Sequence, residues 1–160
     1  MTEVKTIERQ QAITDYRGLA TAALIGVVAG ALTWAIGWLI AQFIVEPIFC
    51  GAADTSAICD GRETTAYNIS LVLVSFGALL ALVWARVFRP LLVVLASALV
   101  AWGMIGFFDG SSWWLAPVWI SLLSGLSYGL FAWIANLRSF GLAMGITVVV
   151  VVGLRLISTL

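Results

Sequence analysis

PVWISLLSGLSYGLFAWIANL, residues Pro117 to Leu137, carries no charged side chain from end to end. At about 100° per residue it divides into two unlike helical faces. Pro117, Ser121, Ser124, Gly125, Tyr128, Gly129, Ala132 and Asn136 fall on one side. Trp119, Leu122, Leu123, Leu126, Leu130, Trp133, Ile134 and Leu137 fall on the other. In hydrocarbon, small residues let a second backbone come close, and hydroxyls and amides find partners across the contact. The bulky face suits lipid. This is the pattern of a packing helix in a small transmembrane bundle.

Composition agrees. Of 160 residues, 62% are hydrophobic and 10% are charged, and the mean hydropathy is +1.10. A soluble domain carries about a quarter charged residues, so the bilayer is the natural solvent for this chain. Eight Lys and Arg balance eight Asp and Glu. That balance gives no case for nucleic acid as a partner or for a polybasic membrane-surface tether. Histidine is absent, which removes the usual pH switch and the commonest metal ligand.

Outward from the opening helix, the other spans follow. Residues 1–17 hold six of the sixteen charges. They read as a cytoplasmic or interfacial segment, either a short surface helix carrying Val4, Ile7 and Ile13 or a solvated leader. The next apolar run, 18–45, is far longer than a signal-peptide core of roughly 7–15 residues. It also exceeds the approximately 20 residues that cross a bilayer, which predicts tilt or an extension beyond it. Ala22, Gly26, Ala29, Gly30, Thr33 and Gly37 share one face of it. A polar loop, 46–63, follows. Further spans are expected at 64–85, 90–108, 116–137 and 139–158, the last either a full crossing with Arg155 snorkelling to the surface or a partial insertion. The fold class is therefore an all-α integral membrane protein, with a single domain over 18–160 and about five helices.

With a cytoplasmic N-terminus, Lys5, Arg9, Arg17, Arg86, Arg89 and Arg138 lie inside, and only Arg62 and Arg155 outside. The positive-inside rule favours that orientation, which exports the C-terminus. Trp38, Trp113 and Trp114 then stand near the outer interface and Trp84 near the inner one. A plasma or bacterial inner membrane fits.

The motifs point to packing. Cys50 and Cys59 sit in the exported loop, where a disulfide persists. A clip closing that loop is the first reading of the pair. The spacing is not Cys-x-x-Cys and Arg62 is the only basic neighbour, which argues against a redox pair; two thiols without histidine fall short of a metal's ligand set. Gly26-x3-Gly30, Gly125-x3-Gly129 and Gly141-x3-Gly145 are small-xxx-small motifs. The first two extend to Trp34 and Trp133 in helices expected to run in opposite directions, the hint of an inverted repeat. The predicted packing seam is Gly26, Gly30, Ser121, Ser124, Gly125, Tyr128 and Gly129, filled by this chain or by a partner.

Within the spans there is no Asp, Glu, Lys or His. Proton relays and ion-coupled transporters usually keep such a group. Asn68-Ile69-Ser70 matches a glycosylation acceptor but stands at the start of a span. Mid-span polarity is confined to Thr33, Ser75, Ser97, Ser121, Ser124, Ser127 and Tyr128. These hydroxyls serve one another, a neighbouring backbone, or a pathway for a neutral solute. No general base accompanies the serines, so an enzyme is not expected, and neither is a cofactor. The expected role is a packing or accessory subunit, or a self-associating scaffold. Its partners would be the lipid bilayer and other membrane-protein subunits or further copies of itself. The alternative is a small oligomeric transporter or channel, for which a water-sized cavity lined by Ser121, Ser124 and Tyr128 is the expectation.

Overall fold

The protein is described by a computed structural model covering residues 2–50, 61–87, 89–102, 114–136 and 140–159. Cys59, Trp113, Leu137 and Arg138, on which parts of the reading above rest, lie outside the described residues. The described residues are helical throughout, with short turns between elements. The helices are α1 (Thr2–Ile40), a π-helical turn (Ala41–Val45), α2 (Glu46–Phe49), α3 (Arg62–Trp84), α4 (Pro90–Ala101), α5 (Leu115–Ala135) and α6 (Phe140–Thr159). Three apolar stretches, Tyr16–Ile48, Arg62–Trp84 and Leu115–Ala135, are long enough to cross a membrane.

The backbone of α1 runs unbroken from Thr2, so the N-terminal segment continues the first span and is not a separate helix. The widened turn Ala41–Val45 has a local cause. Pro47 has no N–H to give the Phe43 carbonyl, and its ring would collide with that carbonyl in a regular helix. A π turn just before the proline takes up the misfit, with the Glu46 N–H donating back to the Ala41 carbonyl.

Helix α1 packs most extensively on α5 and next on α3, while α4 closes the far side between α3 and α5. These four form a ring, and α6 lies outside it against α4 and α5. The larger apolar core joins Ala22 and Ala29 to Ala78, Leu82, Val93, Val94, Phe131, Ile134 and Ala143. A smaller one, Ala41, Val45 and Ala66, sits under the π turn. Beside it, the Arg62 guanidinium reaches the Glu46 carboxylate at 3.4 Å, tying α3 to α2 across the loop. Both side chains are well exposed, so the pair is worth at most about 1 kcal/mol.

Helix α3 ends in a Schellman motif. The Val87 N–H donates to the Leu82 carbonyl and the Arg86 N–H to the Val83 carbonyl, both at 3.0 Å. The motif needs a left-handed residue at Arg86, whose φ is 53°. Glycine usually stands there, and an L side chain costs about 1–2 kcal/mol.

Helix α4 occupies the first part of the span expected at 90–108. It stops at Ala101, and Trp102 has extended backbone with ψ 118°. Twelve residues reach about 18 Å, well short of the roughly 30 Å of hydrocarbon. Residues 103–108 of the expected span lie outside the described residues.

Candidate functional site

The two faces that meet most closely belong to α1 and α5. On α1, all six residues of the small face, Ala22, Gly26, Ala29, Gly30, Thr33 and Gly37, are buried. On α5, Gly125, Tyr128 and Ala132 are buried, while Ser121, Ser124 and Gly129 are half-buried. A methyl group added at Gly26 would stand 2.7 Å from Tyr128 Cβ and 2.8 Å from the Ser124 carbonyl oxygen. One added at Gly30 would meet Ser121 Cα and Ser124 Oγ at 2.8 Å. From the other side, one at Gly125 would strike the Val27 side chain and lie 3.1 Å from the Ala23 carbonyl oxygen. The helices are antiparallel here, since rising numbers on α1 meet falling numbers on α5. The structure thus brings all seven residues of the predicted seam to one contact, within a single chain.

The glycines are not equivalent. A methyl at Gly129 would touch only Ala23 Cβ, at an ordinary 3.5 Å. At Gly141 and Gly145 nothing lies within 4 Å. Helix α6 instead buries Ala143 and Thr147, which sit about 200° around the helix from the two glycines. The third small-xxx-small motif therefore points away from this chain. The repeat linking Gly26/Gly30/Trp34 to Gly125/Gly129/Trp133 is likewise uneven, with Trp34 half-buried and Trp133 exposed.

Ile134 belongs by periodicity to the bulky, lipid-suited face, but it is 1% exposed. The reason is that α5 is covered on more than one side. Helices α4 and α6 pack on it as well as α1, and Ile120, Phe131, Ile134 and Ala135 are all buried. Asn136, assigned to the packing face, is exposed at the helix end. Trp119, Leu122, Leu126, Leu130 and Trp133 face outward.

A second contact, which the sequence pattern above does not single out, joins α1 to α3. The Ser70 hydroxyl is fully buried and lies 2.8 Å from both the Thr33 carbonyl of α1 and the Tyr67 carbonyl of its own helix. One proton serves two acceptors. Gly37 opens the space for this, since an added methyl would stand 3.1 Å from Ser70 Oγ. Ala66-x3-Ser70, itself a small-xxx-small spacing, was the available signal. With its hydroxyl sealed between helices, Ser70 is not accessible as part of a glycosylation acceptor in the folded chain.

Most other hydroxyls return to their own helix. Thr33 donates to the Ala29 carbonyl at 2.8 Å, Ser75 to Leu71 at 2.6 Å, and Ser121 to Pro117 at 2.6 Å. Ser127 donates to Ser124 and Thr147 to Ala143, each at 2.8 Å. Where α1, α3, α4 and α5 meet, Thr33, Ser75, Ser97, Ser124, Ser127 and Tyr128 line one cavity of about 10 Å³. Ser121, expected to line it, does not. Each helix of the ring thus places at least one hydroxyl at the same point.

Among the described residues, no group of three or more His, Cys, Asp or Glu stands together to hold a metal. Cys50 is not a free thiol, while Cys59 lies outside the described residues. Compared with known proteins, the chain matches no family model, no curated protein and no solved structure.

Proposed function

We propose that this chain is a multi-pass membrane protein that acts as a non-catalytic packing or accessory subunit, or as a self-associating scaffold. The observation that carries the reading is how the bundle spends its polar groups. Of its four buried Ser and Thr residues, Ser70 holds helix to helix and Thr33 and Thr147 return to their own backbone, leaving Ser97 alone without a protein partner among the described residues. Meanwhile its outward faces carry large apolar side chains such as Phe76, Leu80, Leu126 and Val149. Such a surface needs lipid or other apolar helices around it. The α1–α5 seam is filled from within, so association falls to these outer faces.

Orientation with the N-terminus cytoplasmic and the C-terminus exported follows from the basic residues. Exposed Trp38 and Trp114 suit one interface and Trp84, 91% exposed, the other. A Cys50–Cys59 disulfide in the exported loop belongs to the same reading, supported by Cys50 not being a free thiol. A reporter fused after Leu160 is expected to sit on the exported side, and native protein is expected to resist thiol labelling until reduced. A cytoplasmic C-terminus would remove α6 as a crossing helix, and ready labelling without reductant would remove the disulfide.

The functional reading is tested by gentle-detergent extraction from the native host, with light scattering and mass spectrometry of what co-migrates. A defined complex, with itself or with another membrane protein, is the expected result. The alternative, a small oligomeric transporter or channel for a neutral or weakly polar solute, draws on the hydroxyls gathered at the four-helix junction. Flux of small neutral solutes through reconstituted liposomes would put that reading first.

A further inference from the structure

The cavity at the junction of α1, α3, α4 and α5 holds one polar group with nothing to bond. Ser97 is 2% exposed, lines the cavity, and among the described residues its hydroxyl has no hydrogen-bond partner. Its neighbours differ. Thr33, Ser75 and Ser127 line the same space, and each already gives its proton to a carbonyl of its own helix. Those three hydroxyl oxygens therefore have no proton left to offer Ser97 and retain only acceptor capacity. Around the cavity stand the unused donor of Ser97 and, at Thr33, Ser75 and Ser127, three oxygens that can only accept.

We propose that this junction is a binding site for a single, long-lived water molecule anchored by Ser97. Water is the ligand whose chemistry closes the set. Its oxygen accepts from the Ser97 hydroxyl, and its two protons go to hydroxyl oxygens among Thr33, Ser75, Ser124 and Ser127. A buried water makes about three such bonds and needs roughly 10–15 Å³ open to its centre; the cavity offers about 10 Å³. That is the lower end of the range, room for one water at most. An apolar atom would leave the Ser97 donor unpaired in a dry interior, with its desolvation uncompensated. The site is a fixed joint shared by four helices, with no room for a passing solute.

The test uses the full chain in detergent micelles or nanodiscs, with protonated methyl groups in an otherwise deuterated background. Water-to-methyl cross-relaxation is expected at the Thr33 and Ala98 methyls, with the opposite NOE and ROE signs of a long-lived water. Ser97→Ala is expected to abolish those cross-peaks and lower thermal stability, because the water loses its anchor. Absence of the cross-peaks in the wild type would overturn the proposal without any variant being needed. So would their persistence in Ser97→Ala. A Ser97→Ala protein as stable as the wild type or more so would show that the hydroxyl is merely unpaired, or bonds back to its own helix, and would also overturn it.

Discussion

Gly26-x3-Gly30 on α1 and Gly141-x3-Gly145 on α6 are the same motif with opposite placements. At the first pair, a methyl group has no room beside Tyr128, Ser124 and Ser121. At the second it would meet nothing within 4 Å. The spacing tells a helix that one face is small, but not that anything comes to rest on it. On α1 the whole face from Ala22 to Gly37 is small, and a helix settles along it. On α6 the glycines share their helix with Ala143 and Thr147, and that second stripe is the one covered. A small residue becomes a contact only where the rest of its face agrees.

The comparison breaks most sharply at Gly30. Gly30→Leu puts a branched side chain where Ser121 Cα and the Ile120 carbonyl already stand within 3 Å of a single added methyl. The expected loss is about 3 kcal/mol or more, the upper range of overpacking. It reads out as a fall in Tm and as aggregation of the purified protein. Gly145→Leu, the same change on the open face, is expected to leave Tm nearly unchanged. Equal losses at the two positions would mean that α6 has a partner on its glycine face.

Alanine sharpens the contrast within the seam. Gly26→Ala and Gly125→Ala are each expected to lower stability by about 1–3 kcal/mol, whereas Gly129→Ala is expected to be tolerated, since its methyl would meet Ala23 Cβ at 3.5 Å. Side-by-side thermal melts in one detergent decide it. Identical behaviour of Gly125→Ala and Gly129→Ala would misplace the register of α1 against α5. On the open face, Gly141→Ala and Gly145→Ala are expected to raise stability by at most about 1 kcal/mol each, through helix propensity alone. A change of oligomeric state on light scattering would instead assign this face to a contact between copies.

The smallest effect belongs to the α1–α3 contact. Ser70→Ala removes a buried interhelical hydrogen bond, and such bonds in membrane bundles average about 0.6 kcal/mol. A modest fall in Tm is expected, with no change in the seam variants' own effects. A loss as large as that of Gly30→Leu would make Ser70, and not the glycine seam, the main joint of α1.

Much of this architecture was legible in the residues. The six-residue face of α1 is small at helical spacing, and all six positions are buried. Tyr128 and Gly125 were readable in the same way. Ile134 was not, because nothing in its own helix announces that α4 and α6 also press on α5. Of the span expected at 90–108, the described part, α4, is helical to Ala101 and extended at Trp102, a turn that the continuing apolar character does not mark. Hydropathy reports solvent preference and says little about where the backbone turns.

By themselves, the residues settle what is local: helical character, the apolar lengths, the small faces, and the absence of charge from the middle of each helix. Neighbours on one helix are about 1.5 Å apart along its axis, so periodicity alone reveals a face. Only the tertiary structure decides which faces meet. It pairs Gly26 with Tyr128 and Gly30 with Ser121, turns Gly141 and Gly145 outward, and gathers six hydroxyls from four helices around one cavity. In the proposed membrane setting the physical reason is plain. Lipid tails are as apolar as leucine, so hydrophobicity does not mark the inside of a bundle, and the choice of partner rests on shape and hydrogen bonding between residues far apart in the chain.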